Sequence, residues 1–184
     1  MFAKQYGPWA VLVGGSEGVG ASFARKLAAQ GINLVLLARK PAPLAALAAE
    51  IGFKVQVRTL ATDITAHDML DRVRAVTDGL EVGLLIYNAG AVTRFSEFLD
   101  APLEDSLRLV RLNVTGQTVL SHHFGAAMRT RRRGGIILVG SMAGYAGAPA
   151  EICYGAGKAY SRIFAEGLWY ELKPHNVHVL GLTL

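Results

Sequence analysis

Six short apolar segments alternate with helical patterns along this 184-residue chain, and the alternation limits the folds it can adopt. Runs of Val, Ile and Leu of strand length predict strands, and longer segments that are apolar on one face predict helices. The predicted strands are 9–13, 32–38, 54–60, 84–87, 135–140 and 177–182. The predicted helices are 21–30, 44–51, 68–77, 103–128 and 152–172. Nearly continuous apolar strands need cover on both faces, so we predict one α/β domain of three layers, with a doubly wound parallel sheet of six strands.

Composition narrows the functional classes. Hydrophobic residues make up 52% of the chain and charged residues 18%, which argues against disorder. The one cysteine, Cys153, excludes an internal disulfide and fits a reducing compartment, so we expect a cytoplasmic protein. The histidines show no metal-ligand spacing and no apolar run reaches membrane-spanning length, so we expect neither a metal nor a membrane partner.

A run of basic residues, 129–133, supplies much of the net charge of +5. We interpret it as a solvated loop after a helix. No aromatic residues accompany it as a stacking platform, so we expect no nucleic-acid partner.

A glycine-rich turn joins the first predicted strand to the first predicted helix. Gly14, Gly18 and Gly20 are spaced Gly-x-x-x-Gly-x-Gly, with Ser16 and Val19 between them. Glycine lets the backbone approach a pyrophosphate closely, and a helix N-terminus offers unpaired N–H groups and a positive dipole end. The turn is therefore predicted to bind the phosphates of a dinucleotide.

The ends of the second and third strands carry charged residues suited to an adenosine. Arg39 and Lys40 stand where an NAD site would place a carboxylate, and two cations favour a 2′-phosphate and hence NADP. The alternative is that both merely solvate a loop, and Glu17 would oppose the preference if it faced the phosphate. Asp63, followed by Ile64, could accept a hydrogen bond from an adenine amine.

Small and amide residues follow the fourth strand. Asn88, Ala89 and Gly90 would let a backbone lie against a cofactor, although an ordinary strand-to-loop turn is the alternative. Asn113 lies within a long helical pattern, where its amide competes for backbone partners. A mid-helix Asn is more often tolerated than functional.

Tyr154 and Lys158 lie one turn apart on one face of a predicted helix. A phenol titrates near pH ~10, and an ammonium beside it favours the phenolate. Ser141, delivered by the fifth strand, could hold the oxygen that exchanges the proton. Because carboxyl ends of parallel strands meet at one edge, Gly14, Ser141 and the residues that end the second to fourth strands should converge there.

With these residues in place, the chain resembles the short-chain dehydrogenases/reductases from Tyr6 to Leu182. Its glycine turn matches the family's Thr-Gly-x-x-x-Gly-x-Gly, and 88–90 match its Asn-Asn-Ala-Gly. Segments 6–10 and 80–84 also resemble the branch with long-chain 3-oxoacyl-CoA reductases and 17β-hydroxysteroid dehydrogenases. The residues that match the family's catalytic tetrad are Asn113, Ser141, Tyr154 and Lys158.

The resemblance implies a Rossmann fold and an NADP(H)-dependent oxidoreductase that interconverts a ketone and a secondary alcohol. Tyr154 would exchange the proton on the oxygen and Ser141 would position that oxygen. Lys158 would favour the phenolate and bind the nicotinamide ribose, and Asn113 would hold a water that links Lys158 to solvent. The family's dimer packing uses the helices predicted at 103–128 and 152–172, which implies a homodimer or a homotetramer.

Three features depart from the family pattern. Val13 replaces the Thr before the glycines, and Tyr87 replaces the first Asn of Asn-Asn-Ala-Gly; we expect both to alter support rather than chemistry. The chain reads Gly-Leu-Thr-Leu over 181–184 without the family's Pro-Gly turn, so we expect the single domain 1–184 to lack the seventh strand and substrate lobe. The alternative function is a cofactor-binding or sensing protein that does not turn over.

Overall fold

The computed structural model describes residues 2–90 and 95–184, which form six parallel strands between two layers of helices. The strands lie in the order β3-β2-β1-β4-β5-β6, so the predicted parallel sheet of six strands is confirmed. The strands are β1 (Trp9–Val13), β2 (Asn33–Ala38), β3 (Val57–Ala61), β4 (Val82–Tyr87), β5 (Gly134–Val139) and β6 (Val177–Leu182). The helices are α1 (Phe2–Tyr6), α2 (Gly18–Ala29), α3 (Pro41–Ile51), α4 (Met69–Thr77), α5 (Leu103–Val110), α6 (Gly116–Arg131) and α7 (Ile152–Leu172).

The alternation of side chains along each strand divides the apolar core between two faces of the sheet. Val11 and Val13 of β1 point to a face covered by residues of α4, α6 and α7. Leu12 of β1 points to the other face, which residues of α2 and α3 cover. All five residues of β1 are buried, and the strand pairs with β2 on one side and β4 on the other. The first strand therefore lies at the centre, where the direction of winding reverses.

The observed bounds correct several of the predicted elements: α3 begins at Pro41 rather than at 44, and β4 begins at Val82 rather than at 84. The third strand begins at Val57 rather than at 54, because it is a half-exposed edge strand whose start carries a weak apolar pattern. The segment 103–128 is not one α-helix, since a π-helical turn, Arg111–Thr115, separates α5 from α6. Among the helices of the described ranges, none is both long enough and apolar enough to cross a membrane.

The basic run 129–133 does not form the solvated loop that the sequence predicted. It ends α6, and three of its arginines bind other parts of the chain. Arg131 donates to the carbonyl of Val82, and Arg132 donates to the carbonyl of Pro174 at 2.8 Å. Arg133 donates to the carbonyl of Lys4 at 3.0 Å and pairs with Glu81. These contacts join the end of α6 to other segments at the amino-terminal ends of the strands.

The short helix α1, which the sequence analysis missed, packs against this same edge. The Tyr6 hydroxyl lies 2.6 Å from Nδ1 of His178. The backbone after α1 lies directly on Gly83 of β4, where an added Cβ would stand 2.5 Å from the Tyr6 carbonyl oxygen and closer still to that of Gly7. Position 83 therefore has no room for a side chain.

The substitution Gly83→Ala should lower the melting temperature, because its methyl group would displace backbone atoms rather than a flexible side chain. Overpacking of this kind costs about 1–3 kcal/mol, which is roughly 2–10 °C in a domain of this size. Gly167→Ala is the matched control, since an added Cβ there meets nothing within 4 Å and lies inside α7. It should raise the melting temperature by about 2–4 °C. A rise for both variants would contradict the observed packing on Gly83.

Candidate functional site

A cleft of about 260 Å³ opens at the carboxyl ends of the four strands on one side of the sheet, β1 to β4. Since parallel strands present their carboxyl ends at one edge, segments far apart in sequence meet here. Eight of the residues predicted to bind a cofactor line this cleft: Gly14, Ser16, Arg39, Asp63, Ile64, Asn88, Ala89 and Gly90.

The other glycine-turn residues lie beside the cleft without lining it. Gly20 packs its Cα on the carbonyl oxygen of Gly14, with which an added Cβ would collide, and Val19 is 40% exposed. Gly18 begins α2 in the left-handed region at φ +54°. The side chain of Glu17, at the N-cap, makes no capping hydrogen bond. An uncapped helix N-terminus beside a glycine turn fits the pyrophosphate of a dinucleotide.

Asn88 connects the glycine turn to β4. Its Nδ2 donates to the carbonyl of Gly14 at 2.9 Å, and its backbone N–H donates to the carbonyl of Val13 at 2.9 Å. Gly14 itself adopts φ +80° and donates from its N–H to the carbonyl of Leu37 at 2.8 Å. The sequence analysis predicted Asn88 from the small size of its segment, whereas the structure shows its amide bracing the turn.

Glu17 faces Lys40 across the mouth of the cleft. Their side chains form an exposed ion pair at 3.0 Å, an arrangement typically worth about 0–1 kcal/mol. Arg39 is exposed, lines the cleft and forms no ion pair within 2–90 and 95–184. The Glu17 carboxylate, which could repel a 2′-phosphate, is therefore paired with Lys40, and Arg39 lines the cleft without such a partner among the described residues.

Asp63 is hydrogen-bonded on both carboxylate oxygens. Oδ1 accepts from the N–H of Thr65 at 3.0 Å and from its hydroxyl at 2.8 Å, and Oδ2 accepts from Arg108 at 2.7 Å. Partial burial opposes ionisation of Asp63, but these hydrogen bonds and the positive charge of Arg108 together hold its pKa below the ordinary value. Arg108, on α5, also lines the cleft, and nothing in the local sequence signals its meeting with a residue 45 positions away.

Lys158 is buried at the inner side of α7, with a relative exposure of 4%. Its ammonium donates to the carbonyl of Val139 at 2.9 Å and lies 5.7 Å from the centre of the Tyr154 ring. Burial lowers the pKa of Lys158 to about 8. The helical spacing of the two residues therefore places them together, as the sequence predicted.

The side chains of Asn113 and Lys158 both pack against Gly90. A Cβ added at Gly90 would lie 2.8 Å from Oδ1 of Asn113 and closer still to the Lys158 ammonium. Asn113 is 1% exposed, and its Nδ2 donates to the carbonyl of Leu109 at 3.1 Å. Its Oδ1 accepts no hydrogen bond from the described residues. Gly90, which lines the cleft, thus joins the cleft to two of the four predicted catalytic residues.

Ser141 directly follows β5 and caps a 3₁₀ turn over Met142–Gly144. Its hydroxyl oxygen accepts from the N–H of Ala143 at 3.3 Å. The turn packs on α7 so closely that a Cβ added at Gly144 would lie 2.7 Å from the carbonyl carbon of Lys158. The segment of Ser141 therefore rests on the helix that carries Tyr154 and Lys158.

Tyr154 is half-buried in the first turn of α7. It lines a second, smaller cavity of about 40 Å³, separate from the cleft. Apolar side chains of Phe98, Leu109 and Ile152 line the same cavity. The carboxylate residues Asp105 and Glu151 also line it, so apolar and acidic side chains share this cavity.

The substitution Lys158→Met should remove a pH-dependent contribution to stability. The pKa of Lys158 is about 8 in the folded chain, whereas its ordinary value, taken for the unfolded chain, is 10.5. Between these two pH values the unfolded chain therefore binds more protons than the folded chain. The free energy of unfolding of the wild type should therefore rise relative to that of the variant across this range, by about 3 kcal/mol in full. Chemical denaturation at several pH values measures the difference. A difference between the wild type and Lys158→Met that stays constant with pH would contradict the burial of a charged ammonium.

Comparisons with known proteins agree on one family. The family model described as short chain dehydrogenase matches residues 8–184. Very-long-chain 3-oxoacyl-CoA reductase of Bos taurus is 34% identical over 178 residues, which are 94% of this chain and 57% of that protein. A 7beta-hydroxysteroid dehydrogenase of Mediterraneibacter gnavus is 30% identical over 183 residues, 98% of this chain and 69% of that protein. The chain thus spans little more than half of the first of these relatives.

Solved structures have the same fold. A structure concerning 7beta-hydroxysteroid dehydrogenase stereoselectivity superposes with a TM-score of 0.93 at 32% identity, covering 98% of this chain and 70% of that one. A short-chain dehydrogenase from Sphingobium yanoikuyae in complex with NADPH gives 0.89 at 33% identity, covering 96% and 70%. An NAD+-bound xylitol dehydrogenase gives 0.86 at 27% identity, covering 98% and 70%.

Proposed function

Because this chain belongs to the short-chain dehydrogenase family, we propose that it is the cofactor-binding and catalytic region of an NADP(H)-dependent oxidoreductase. The reaction would interconvert a ketone and a secondary alcohol. One observation carries the proposal: Gly90 lines the cleft, and the Lys158 ammonium and the Asn113 amide oxygen both pack against it. A nucleotide in the cleft would therefore reach a buried positive charge.

The residues around the cleft suit the parts of a dinucleotide. The turn from Gly14 to Gly20 and the uncapped start of α2 would hold the pyrophosphate, and Asp63 with Ile64 would border the adenine. Lys158 would bind the nicotinamide ribose, with Asn88 and Ala89 along the path between. When bound, the nicotinamide gives or takes a hydride at its C4 carbon.

Tyr154 would exchange the proton on the substrate oxygen, and the Ser141 hydroxyl would hydrogen-bond to that oxygen. The Lys158 ammonium lies 5.7 Å from the centre of the Tyr154 ring, beside the site of the proposed proton exchange. The unpartnered Oδ1 of Asn113 beside Lys158 suits a water that would return the proton from solvent. Each of these roles belongs to a side chain and needs no metal.

The preference for NADP(H) rests on Arg39. Relatives of this fold bind either form, since one solved neighbour holds NADPH and another NAD+. Arg39 lines the cleft, whereas the Glu17 carboxylate is paired with Lys40. The Arg39 guanidinium, and not the Glu17 carboxylate, would therefore face the 2′-phosphate of the adenosine ribose.

A substrate group in the cavity beside Tyr154 would contact the apolar side chains of Phe98, Leu109 and Ile152, with Asp105 and Glu151 lining the same cavity. We also propose a cytoplasmic homodimer or homotetramer. On α5, Leu103, Leu107 and Val110 are all exposed and recur at helical spacing, which gives the helix an apolar stripe suited to a second copy.

The substitution Tyr154→Phe should abolish turnover, because it removes the proton that the substrate oxygen exchanges. Loss of a general acid costs about 10²–10⁴-fold in kcat. Binding of NADPH, followed by nicotinamide fluorescence, should change little. Tyr170→Phe, at an exposed position of the same helix, is the control. Turnover retained by Tyr154→Phe would exclude Tyr154 as the acid, and a wild type that binds NADPH but reduces no ketone would favour a sensing protein instead.

The substitution Arg39→Asp should weaken NADPH far more than NADH, because only NADPH carries the 2′-phosphate. Loss of a charge-assisted hydrogen bond corresponds to about a 10- to 150-fold increase in the Kd of NADPH. The Kd of NADH should stay within about threefold. Arg129→Asp, an exposed residue away from the cleft, makes the same change in net charge and should alter neither. An equal loss for both cofactors would mean that Arg39 does not recognise the phosphate.

A further inference from the structure

The π-helical turn of Arg111–Thr115 exposes a series of backbone carbonyls to side-chain donors. In a π turn a carbonyl accepts from the N–H five residues further on, as Arg111 does from Gly116, and its second lone pair stays open to a side-chain donor. Three consecutive carbonyls each receive a donor from a different side chain. The pairs are Tyr87 with Leu112 at 2.6 Å, Gln117 with Asn113, and Thr118 with Val114 at 2.7 Å.

The amide of Gln117 also reaches α7, through a hydrogen bond that leads to the backbone beside Lys158. Besides the carbonyl of Asn113, its Nε2 donates to Oγ of Ser161 at 2.9 Å. Ser161 in turn donates to the carbonyl of Gly157 at 3.1 Å. One side-chain amide thus links the backbone of Asn113 to the backbone immediately before Lys158.

This link is buried and closely packed. Gln117 is 1% exposed and Ser161 3% exposed, so water does not compete for their hydrogen bonds. A Cβ added at Gly157 would lie 2.6 Å from Cβ of Asn113, which means that the backbone of Gly157 packs directly on the Asn113 side chain. The link therefore lies where Asn113 contacts the helix of Lys158.

We propose that Gln117 is a positioning residue for the reaction, acting through Asn113 and Lys158. It fixes the π turn against α7 so that Oδ1 of Asn113 and the ammonium of Lys158 face the same space above Gly90. Gln117 touches neither substrate nor cofactor in this account. The inference rests on the proposed function, because the geometry it maintains is that of the predicted proton path.

Thr118 provides a matched control for a purely structural role. Its hydroxyl donates to the carbonyl of Val114 and lies 2.7 Å from the hydroxyl of Tyr160 on α7. It therefore occupies the next carbonyl of the same π turn and also joins α6 to α7. Neither Val114 nor Tyr160 belongs to the predicted catalytic residues, so loss of the Thr118 contacts leaves the Gln117 link in place.

The test compares Gln117→Met, Ser161→Ala and Thr118→Val with the wild type in the whole protein. Methionine keeps the length of glutamine but donates no hydrogen bond. Gln117→Met should lower kcat about 10- to 100-fold, which is the loss expected when reacting groups are slightly misplaced. It should also raise the solvent isotope effect on kcat. The KM of the ketone and the Kd of NADPH should stay within about threefold. Ser161→Ala, which leaves Gln117 bound to Asn113, should lower kcat less, and Thr118→Val should retain the wild-type kcat and isotope effect.

The proposal would be overturned if Gln117→Met and Thr118→Val lowered kcat equally and each loss of kcat simply followed the fall in melting temperature of that variant. Amide hydrogen exchange separates this result from a failure of the proposed function. If the wild type reduces no ketone, faster exchange at 157–158 in Gln117→Met but not in Thr118→Val still supports the link. Unchanged exchange there in both variants would overturn it.

Discussion

Parallel strands can share a sheet only if each is followed by a crossover, and this constraint brings all carboxyl ends to one edge. In this chain β1 lies between β2 and β4, and the winding reverses there. The edge therefore collects short loops from the ends of β1 to β4, and these loops line the cleft. The fifth strand adds Ser141 at the same edge. Residues from five separate segments need no long loops to converge there.

The buried ammonium of Lys158 imposes the second constraint. A charge removed from water needs close polar partners, and here the carbonyl of Val139 accepts from it at 2.9 Å. Space for the charge exists because Gly90 has no side chain. Asn113 completes the surroundings, and it stands in a π turn whose carbonyls are held by other side chains. Burial raises the pKa of Tyr87, so its hydroxyl keeps the proton that it donates to Leu112.

Much of the fold followed from local patterns. The helix 152–172 was predicted with its observed bounds, since its apolar pattern is continuous and Pro174 follows it. The π turn could not be predicted, because the apolar pattern runs unbroken across 103–128 and the side chains that hold its carbonyls include Tyr87, 25 residues away. The sequence analysis did not predict Arg108 as a cleft residue for the same reason, because its partner Asp63 is distant in sequence. Candidate site residues were predicted from a glycine spacing, a Tyr–Lys spacing and the ends of strands, and the role of Asn113 only from the family resemblance, whereas the contacts that support them are not local.

Amide hydrogen exchange of this chain with and without NADPH tests the central claim most directly, because it reports where the nucleotide lies. If the carboxyl edge of the sheet is the site, protection should rise at the glycine turn 14–20, at 39–40 and at 88–90, and should leave the opposite edge at 129–133 unchanged. Protection at that opposite edge, or no change anywhere at saturating NADPH, would contradict the assignment of the cleft as the dinucleotide site.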